Sequence, residues 1–586
     1  MDFFSILTLI GGLALFLYGM DVMGDGLKKL SGSKLEYFLG KLTSNRFKGF
    51  LLGFAVTAVI QSSSATTVML VGFVNSGIMK LSQTISIIMG ANIGTTVTSW
   101  LLSLSGISGE SFFIRLLKPS SFTPILAAVG IIMSMTAKYD KTKDIASIMI
   151  GFAVLMFGME TMSGAMSSLK DDPKFAHIMV MFSNPIMGIL SGLILTAIIQ
   201  SSSASVGILQ ALSLTGAISY STAIPIILGQ NIGTTVTPII SSINGNRESK
   251  RVAITCLNIK IIGVVIVSVV FYMLNAFIGF SFMQNNVSVL NIAIIHTLFN
   301  IISTVILFPF CGAIEKLSCM MIKGESNPED DEPDKLSTLD DRFLTMPSFA
   351  AEKCRELTYE MARLAQKAVA KSSGLLSDYD KNIDERIAKY ESKVDKYEDK
   401  LSAYLVALAA NKLNTADSHK VTKLLHIIGD VERISDHAVN ISETAREINS
   451  KKIKFSDEAA KEIKTLTNAV LEILDITTRM LEHDDLELAH SVEPLEQIID
   501  KLRHVIKNNH IMRLQNGECT VEMGFILSDL LTNYERIADH CSNIAVSVLG
   551  NANNEFESHD YLAHIKNDGE HEFFEKYNFY KQKYRL

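Results

Sequence analysis

Gly53 to Trp100 reads GFAVTAVIQSSSATTVMLVGFVNSGIMKLSQTISIIMGANIGTTVTSW, and the same pattern returns without a gap 139 positions later, from Gly192. Gln61-Ser62-Ser63-Ser64 comes back as Gln200-Ser201-Ser202-Ser203. Asn92-Ile93-Gly94-Thr95-Thr96-Val97-Thr98 comes back as Asn231-Ile232-Gly233-Thr234-Thr235-Val236-Thr237. The register runs upstream as well, where Gly12, Gly19, Met20 and Met23 match Gly151, Gly158, Met159 and Met162. Two apolar units with hydroxyl-rich breaks in the same place are the pattern of a secondary carrier built from internal repeats. The substrate is expected at the breaks.

Outward from this stretch, the composition divides the chain. Residues 1–324 hold 20 Lys+Arg against 12 Asp+Glu, whereas 325–586 hold 34 against 49. The overall charge of −7 is therefore an average over an apolar, slightly basic half and an acidic one. It calls for no nucleic-acid partner. The two prolines and the acidic run between Gly324 and Lys335 read as a solvated linker. Domains are expected at 1–137 and 138–320 (the two repeats, the second with a final helix), 321–345 (linker), 346–550 (helical) and 551–586 (tail). The start has no basic region or cleavage site, so the first helix reads as retained. The six cysteines show no pairing pattern and read as free thiols.

Spans able to cross a hydrocarbon core of ~30 Å fall near 4–24, 82–103, 122–137, 145–165, 221–243, 252–275 and 289–309. The segments flanking each Gln-Ser-Ser-Ser differ. Gly49–Ile60 and Ala65–Ser76 would each be only ~18 Å long as helix, about half a crossing. Each pair therefore reads as a re-entrant hairpin with the serines at its tip. Basic residues set the sidedness: Lys28, Lys29, Lys34, Lys41, Arg46 and Lys48, then Lys138, Lys141 and Lys143, then Arg247, Lys250 and Arg251 mark cytoplasmic loops. The loop of the second repeat carries Lys170 and Lys174 offset by Asp171 and Asp172. Seven crossings then place the repeats in opposite senses. The fold expected is all-α: a polytopic membrane transporter with inverted repeats and re-entrant hairpins, followed by a cytoplasmic domain of two three-helix bundles.

Hydroxyl clusters in apolar sequence need a reason, because an unsatisfied buried hydroxyl costs on the order of 2 kcal/mol or more. Bonding back to their own helix is the ordinary explanation, but a doubled motif points to a ligand. A broken helix exposes N–H groups at one end and carbonyls at the other. The N–H groups and serine hydroxyls suit an oxyanion. Carbonyls, amide oxygens and threonine hydroxyls suit a hard cation. Candidate ligands are Gln61, Ser62, Ser63, Ser64, Thr66, Asn92, Thr95 and Thr96, with Gln200, Ser201, Ser202, Ser203, Asn231, Thr234 and Thr235.

These motifs resemble the duplicated signature of the type II sodium/phosphate cotransporters, and His296-Thr-Leu-Phe-Asn300 with Phe308-Pro309 resembles that family's last element. The resemblance covers roughly residues 5–315 and implies Na⁺-driven symport of inorganic phosphate through a cell membrane. Both hairpins would line the central site. The chain departs from the family where Gln230 stands opposite Ala91, and it lacks the large extracellular loop of the animal members. Intramembrane charge is sparse. Asp21 and Glu160 are equivalent positions suited either to the interface or to ion access, and Lys260 lies inside the 252–275 span, where a lysine pairs, lines a cavity, snorkels or faces the anion.

In the acidic half, helical periodicity breaks near Gly374, Asn414, Lys451, Asp484 and Gly517, giving six helices. Glu432-Arg-Ile-Ser-Asp436 returns as Glu535-Arg-Ile-Ala-Asp539, and the preceding helices add Glu391 with Asp395 and Glu496 with Asp500. Each pair places two carboxylates one turn apart on one face. Four such groups suit a divalent or trivalent metal; the alternative is a solvated face with interhelical salt bridges to Arg433 and Arg536. This half resembles the PhoU-type phosphate-signalling proteins, which implies regulation, a signalling partner and bound metal. No nucleophile triad or nucleotide loop marks an enzyme. Carriage or export of another oxyanion and a membrane-tethered phosphate sensor stay open, as does the oligomeric state.

Overall fold

The structure is a computed structural model, and it describes residues 3–31, 45–107, 116, 118–167, 179–323, 335–411, 413–483, 485–553 and 570–586. The basic residues Lys34 and Lys41, the loop holding Lys170 to Lys174, the linker between Gly324 and Pro333, and the break at Asp484 lie outside the described residues. Two compact units result, Met1–Pro333 and Asp334–Leu586. Among the described residues all regular structure is helical, as the apolar periodicity requires.

The first unit begins with α1 (Phe3–Ser31), α2 (Arg46–Ile60), α3 (Ser63–Asn75), α4 (Leu81–Gly94), α5 (Thr96–Ser103) and α6 (Pro119–Thr136). The second repeat follows as α7 (Asp140–Met166), α8 (Pro185–Ile199), α9 (Ser202–Leu214), α10 (Tyr220–Gly233), α11 (Val236–Ser242) and α12 (Arg247–Ile278). The unit ends with α13 (Val289–Leu307) and α14 (Cys311–Met321). Among the described residues, seven helical stretches are long and apolar enough to cross a membrane, at the places the hydropathy pattern indicates. Those over Leu81–Gly106 and Tyr220–Ser242 are each interrupted at the Asn-Ile-Gly-Thr-Thr motif.

Small residues bring these helices backbone to backbone. A methyl at Gly53 would strike the Ile87 carbonyl, and one at Gly90 the Phe50 carbonyl, so α2 lies directly on α4. Gly192 against Ile226 and Gly229 against Ile189 repeat that contact between α8 and α10. Without a hydrophobic force between helices in lipid, such close approach is what holds them. In the α1–α7 pair, Gly12 meets Gly158, Gly19 meets Gly151 and Gly26 meets Asp144. The numbers fall on one helix as they rise on the other, so these two equivalent helices are antiparallel. Their seam carries Phe16, Met23, Leu155, Met159 and Met162, all buried, with Ala204 of α9 packed against it.

The second unit is built from α15 (Pro347–Leu375), α16 (Lys381–Ala409) and α17 (Thr415–Lys451), then α18 (Asp457–His483), a single turn α19 (Leu486–Ala489), α20 (Val492–Gln515) and α21 (Val521–Asn553). Each set of three long helices packs together as a bundle. The bundles join through α17 against α21 and α15 against α18. The chain ends on α22 (Glu570–Lys583), which packs on α20. Lys583 pairs with Glu472 at 2.7 Å, and Lys501 lies over the Tyr577 ring at 4.7 Å.

Candidate functional site in the broken helices

Gln61 and Gln200 each end a helix in the left-handed region, with φ of 60° at both. That conformation is uncommon for a residue with a side chain and marks positions that the surroundings enforce. It turns the chain through an extended Ser62 or Ser201, whose hydroxyl then accepts from Ala65 N at 3.1 Å or Ala204 N at 3.2 Å. These serines are N-caps. Thr57 meets Thr66 at 3.0 Å and Thr196 meets Ser205 at 2.8 Å, closing each pair of arms into a hairpin. Thr66 thus staples its own hairpin.

The arms cross between repeats. α3 packs on α11, and α9 packs on α5. At the second crossing Thr98 donates to Gln61 Oε1 at 2.7 Å, and Ser203 donates to the Thr98 hydroxyl at 3.4 Å. Residues from both repeats therefore share one buried chain of hydrogen bonds. The equivalent set, Gln200, Thr237 and Ser64, is arranged differently. Gln200 is exposed, Ser64 is half-buried, and the Thr237 hydroxyl has no partner among the described residues. Ser63 and Ser202 stand as the first residues of α3 and α9, both buried, at ends where a helix favours negative charge.

The Asn-Ile-Gly-Thr-Thr breaks present the opposite pole. Asn92 and Asn231 are buried, and Asn231 donates back to the Ile227 carbonyl at 3.1 Å. Thr96 and Thr235 bond back to Ile93 and Ile232 at 2.8 and 2.7 Å, the ordinary helical arrangement. The equivalent hydroxyls of Thr95 and Thr234 differ. Thr234 donates to the Asn231 carbonyl at 2.8 Å and accepts from Lys260 Nζ at 2.7 Å. Thr95 is buried and its hydroxyl has no partner among the described residues. Asp21 and Glu160 are exposed, which favours the interfacial reading.

Reading the motifs alone missed several of the residues that tie this site together. Ser99 and His296 Nδ1 lie 2.8 Å apart. Gln210 donates to the carbonyls of Ser99 and Val289 at 3.0 and 3.1 Å. Gln230 donates to the Ser205 carbonyl at 3.0 Å, which gives this departure from its partner repeat a packing role. Thr98 had a visible signal, since it closes the repeated Thr-Thr-Val-Thr.

In the second unit the carboxylates divide unequally. Oxygens of Glu391, Asp395 and Asp436 lie within 4.8 Å of one another. Burial, then the Asp395 and Asp436 charges, raise the Glu391 carboxyl above its ordinary range. Burial and the neighbouring Asp436 raise Glu432 likewise. This hard, anionic oxygen set fits a multivalent cation. In the other bundle Arg503 reaches Asp500 at 3.0 Å and Glu535 at 2.7 Å, so a guanidinium already neutralises part of the cluster. Arg536 approaches Asp539 of its own helix at 3.6 Å, an intrahelical pair and not the interhelical bridge of the alternative reading, and Arg433 is exposed. Glu496 is pushed up to about 8 by burial and then by Glu493, Asp539, Asp500 and Glu535.

With two crossed, broken-helix hairpins of repeated sequence, the first unit defines a carrier, and the chain belongs to the Na⁺/Pi-cotransporter family, whose model matches residues 15–164 and 154–291. The PhoU domain matches twice more, over 358–445 and 463–548. The chain is 22% identical to the "Putative inorganic phosphate export protein YjbB" of Salmonella typhimurium, over 95% of this chain and all of that one. It is 29% identical to the uncharacterized protein YqeW of Bacillus subtilis, over 52% of this chain and 95% of that one. A shorter match, 36% identical over 18% of this chain and 17% of the other, is to sodium-dependent phosphate transport protein 2A of Rattus norvegicus. The chain is a multi-pass membrane protein of a transporter family, and not an enzyme.

Proposed function

We propose that the first unit carries inorganic phosphate across the cytoplasmic membrane in symport with Na⁺. The observation that carries this reading is the shared chain Gln61–Thr98–Ser203, which brings a hairpin tip from each repeat to one place. Phosphate would sit at the N-terminal ends of α3 and α9, and Na⁺ at a carbonyl end of the broken helices, such as that of α4. The exposed Gln200 beside the buried Gln61 suits one access state of an alternating carrier, with the other reached by exchanging the roles of the repeats. Radiolabelled phosphate accumulation in proteoliposomes, with and without an inward Na⁺ gradient, tests the reading. No Na⁺ stimulation would end it.

Direction is the second issue. The name of the Salmonella relative refers to export, and that relative is matched along nearly the whole chain. A symporter follows the summed gradients, so efflux from preloaded vesicles with Na⁺ inside separates reversible symport from a dedicated exporter.

We read the two repeats as inverted, supported by the antiparallel pairing of α1 with α7 and by the basic loops. Single cysteines at Lys138 and Arg247, both exposed, should then label only from the cytoplasmic side, and one at Asp172 only from outside. Labelling of Lys138 and Asp172 from one side would end this arrangement.

The second unit is read as a cytoplasmic regulator that binds a divalent or trivalent metal through Glu391, Asp395, Glu432 and Asp436. Tethering by a short linker gives an effective concentration on the order of millimolar, enough to keep a weak contact occupied. A contact that prefers one access state by ~1.4 kcal/mol changes the competent fraction by up to about tenfold. Truncation after Gly324 should therefore leave Na⁺-dependent uptake intact and raise its rate. Unchanged kinetics across phosphate and metal concentrations would leave the unit without a regulatory role.

A further inference from the structure

Lys260 projects from α12 into the interior and is only 6% exposed. Its Nζ donates to the Thr234 hydroxyl at 2.7 Å, and Thr234 caps the C-terminal end of α10. Among the described residues no carboxylate pairs with it. A buried charge without a counter-charge is expensive, so its surroundings must offer compensation. The C-terminal end of a helix carries partial negative charge and unsatisfied carbonyls, an environment suited to cations. Anions are favoured at the opposite ends, where Ser63 and Ser202 stand. The ammonium therefore occupies a position with the chemistry of a cation site.

The repeat shows what stands at the equivalent place in the first half. Thr234 corresponds to Thr95, the fourth residue of the same Asn-Ile-Gly-Thr-Thr motif. Among the described residues no lysine bonds to Thr95. Its hydroxyl is buried at the matching end of α4 and has no hydrogen-bond partner among the described residues. One half thus brings its own cation to the broken helix, and the other leaves a buried oxygen for a cation from solution.

We propose that the Lys260 ammonium takes, in the second repeat, the place that a transported Na⁺ takes at Thr95 in the first. The proposal rests on the Na⁺-coupled reading above and refines its stoichiometry. A tethered ammonium stabilises the broken helix as a sodium ion would, but it cannot leave. It therefore contributes fixed charge and no driving force, and the carrier moves one Na⁺ fewer per cycle than two equivalent sites would allow.

Full-length protein in proteoliposomes tests this through the dependence of phosphate uptake on external Na⁺. In Lys260→Ser, which removes the ammonium and leaves a small neutral side chain, the Hill coefficient for Na⁺ should rise by about one and half-saturation should move to higher Na⁺. Lys260→Arg should keep the wild-type Hill coefficient whatever its rate. Thr95→Val should lower the coefficient by about one. If Lys260→Ser instead raises only the phosphate KM with the Na⁺ dependence unchanged, the lysine is a counter-charge for the anion and the proposal fails. Should that variant not insert, Thr95→Val decides alone, and an unchanged coefficient overturns the proposal. Wild-type uptake indifferent to Na⁺ would be a separate result, removing the symport reading itself and the proposal with it.

Discussion

Na⁺-driven phosphate uptake should fall by at least about 100-fold when Ser63→Ala and Ser202→Ala are combined. Both serines open a helix at a hairpin tip, and both are buried where bulk water cannot replace a lost donor. A hydrogen bond to a charged group contributes ~1.5–3 kcal/mol, so each deletion alone should weaken phosphate binding by roughly 10–100-fold. The neighbouring caps supply the contrast. Ser62→Ala and Ser201→Ala remove hydroxyls that accept from Ala65 and Ala204, which should cost about 1 kcal/mol of helix stability each. Binding of labelled phosphate to purified, monodisperse protein separates the two effects. Full uptake by the Ser63/Ser202 double variant would remove the serines from the site.

A second large effect is expected from pH and metal in the acidic unit. Burial and neighbouring carboxylates raise Glu391, Glu432 and Glu496 above the ordinary range, Glu496 to about 8. Groups raised in the folded state bind protons there that the unfolded chain has already released, so stability falls as pH rises. The window runs from the ordinary carboxylate value near ~4.3 to about 8. In chelator, the unit should therefore melt several degrees lower at pH 8 than at pH 5.5, with ~2–4 °C for each 1 kcal/mol in a domain of this size. Glu496→Gln should remove much of that difference by raising the melting temperature considerably more at pH 8 than at pH 5.5. A multivalent cation that binds only the ionised cluster should reverse the slope, and its binding should weaken towards pH ~4. Glu432→Ala with Asp436→Ala should abolish the metal response. The fragment measured should extend to Leu586, because α22 packs on α20. A melting temperature flat from pH 5.5 to 8, with no ion bound by elemental analysis, would leave the carboxylates as a solvated face.

Much of this was legible in the residues. Seven crossings follow from apolar length, because backbone groups in lipid must be satisfied within a helix, and the described residues form seven such stretches where hydropathy placed them. The short arms around each Gln-Ser-Ser-Ser were visible for the same reason: fifteen and thirteen residues are too few to cross. The carboxylate pairs were visible because a spacing of four repeats along one helix face. The sodium/phosphate resemblance was carried by the doubled motif, which the family match bears out.

The repeat also concealed things, because it treats equivalent residues alike. Only packing between distant segments decided that Gln61 is held by Thr98, itself bonded by Ser203, while Gln200 stays exposed. Thr66 is a candidate ligand by motif, and its contact with Thr57 across the hairpin arms was not readable from the motif. Arg503 separates the two acidic clusters by lying between α20 and α21, a contact that spans 32 residues of chain and has no local signature. Lys260 was conspicuous as a charge inside an apolar span, yet its partner was not readable. Local sequence sets which groups each helix offers and at what spacing; which of them meet depends on helix crossings that close-packed glycines permit, and those are properties of the folded pair.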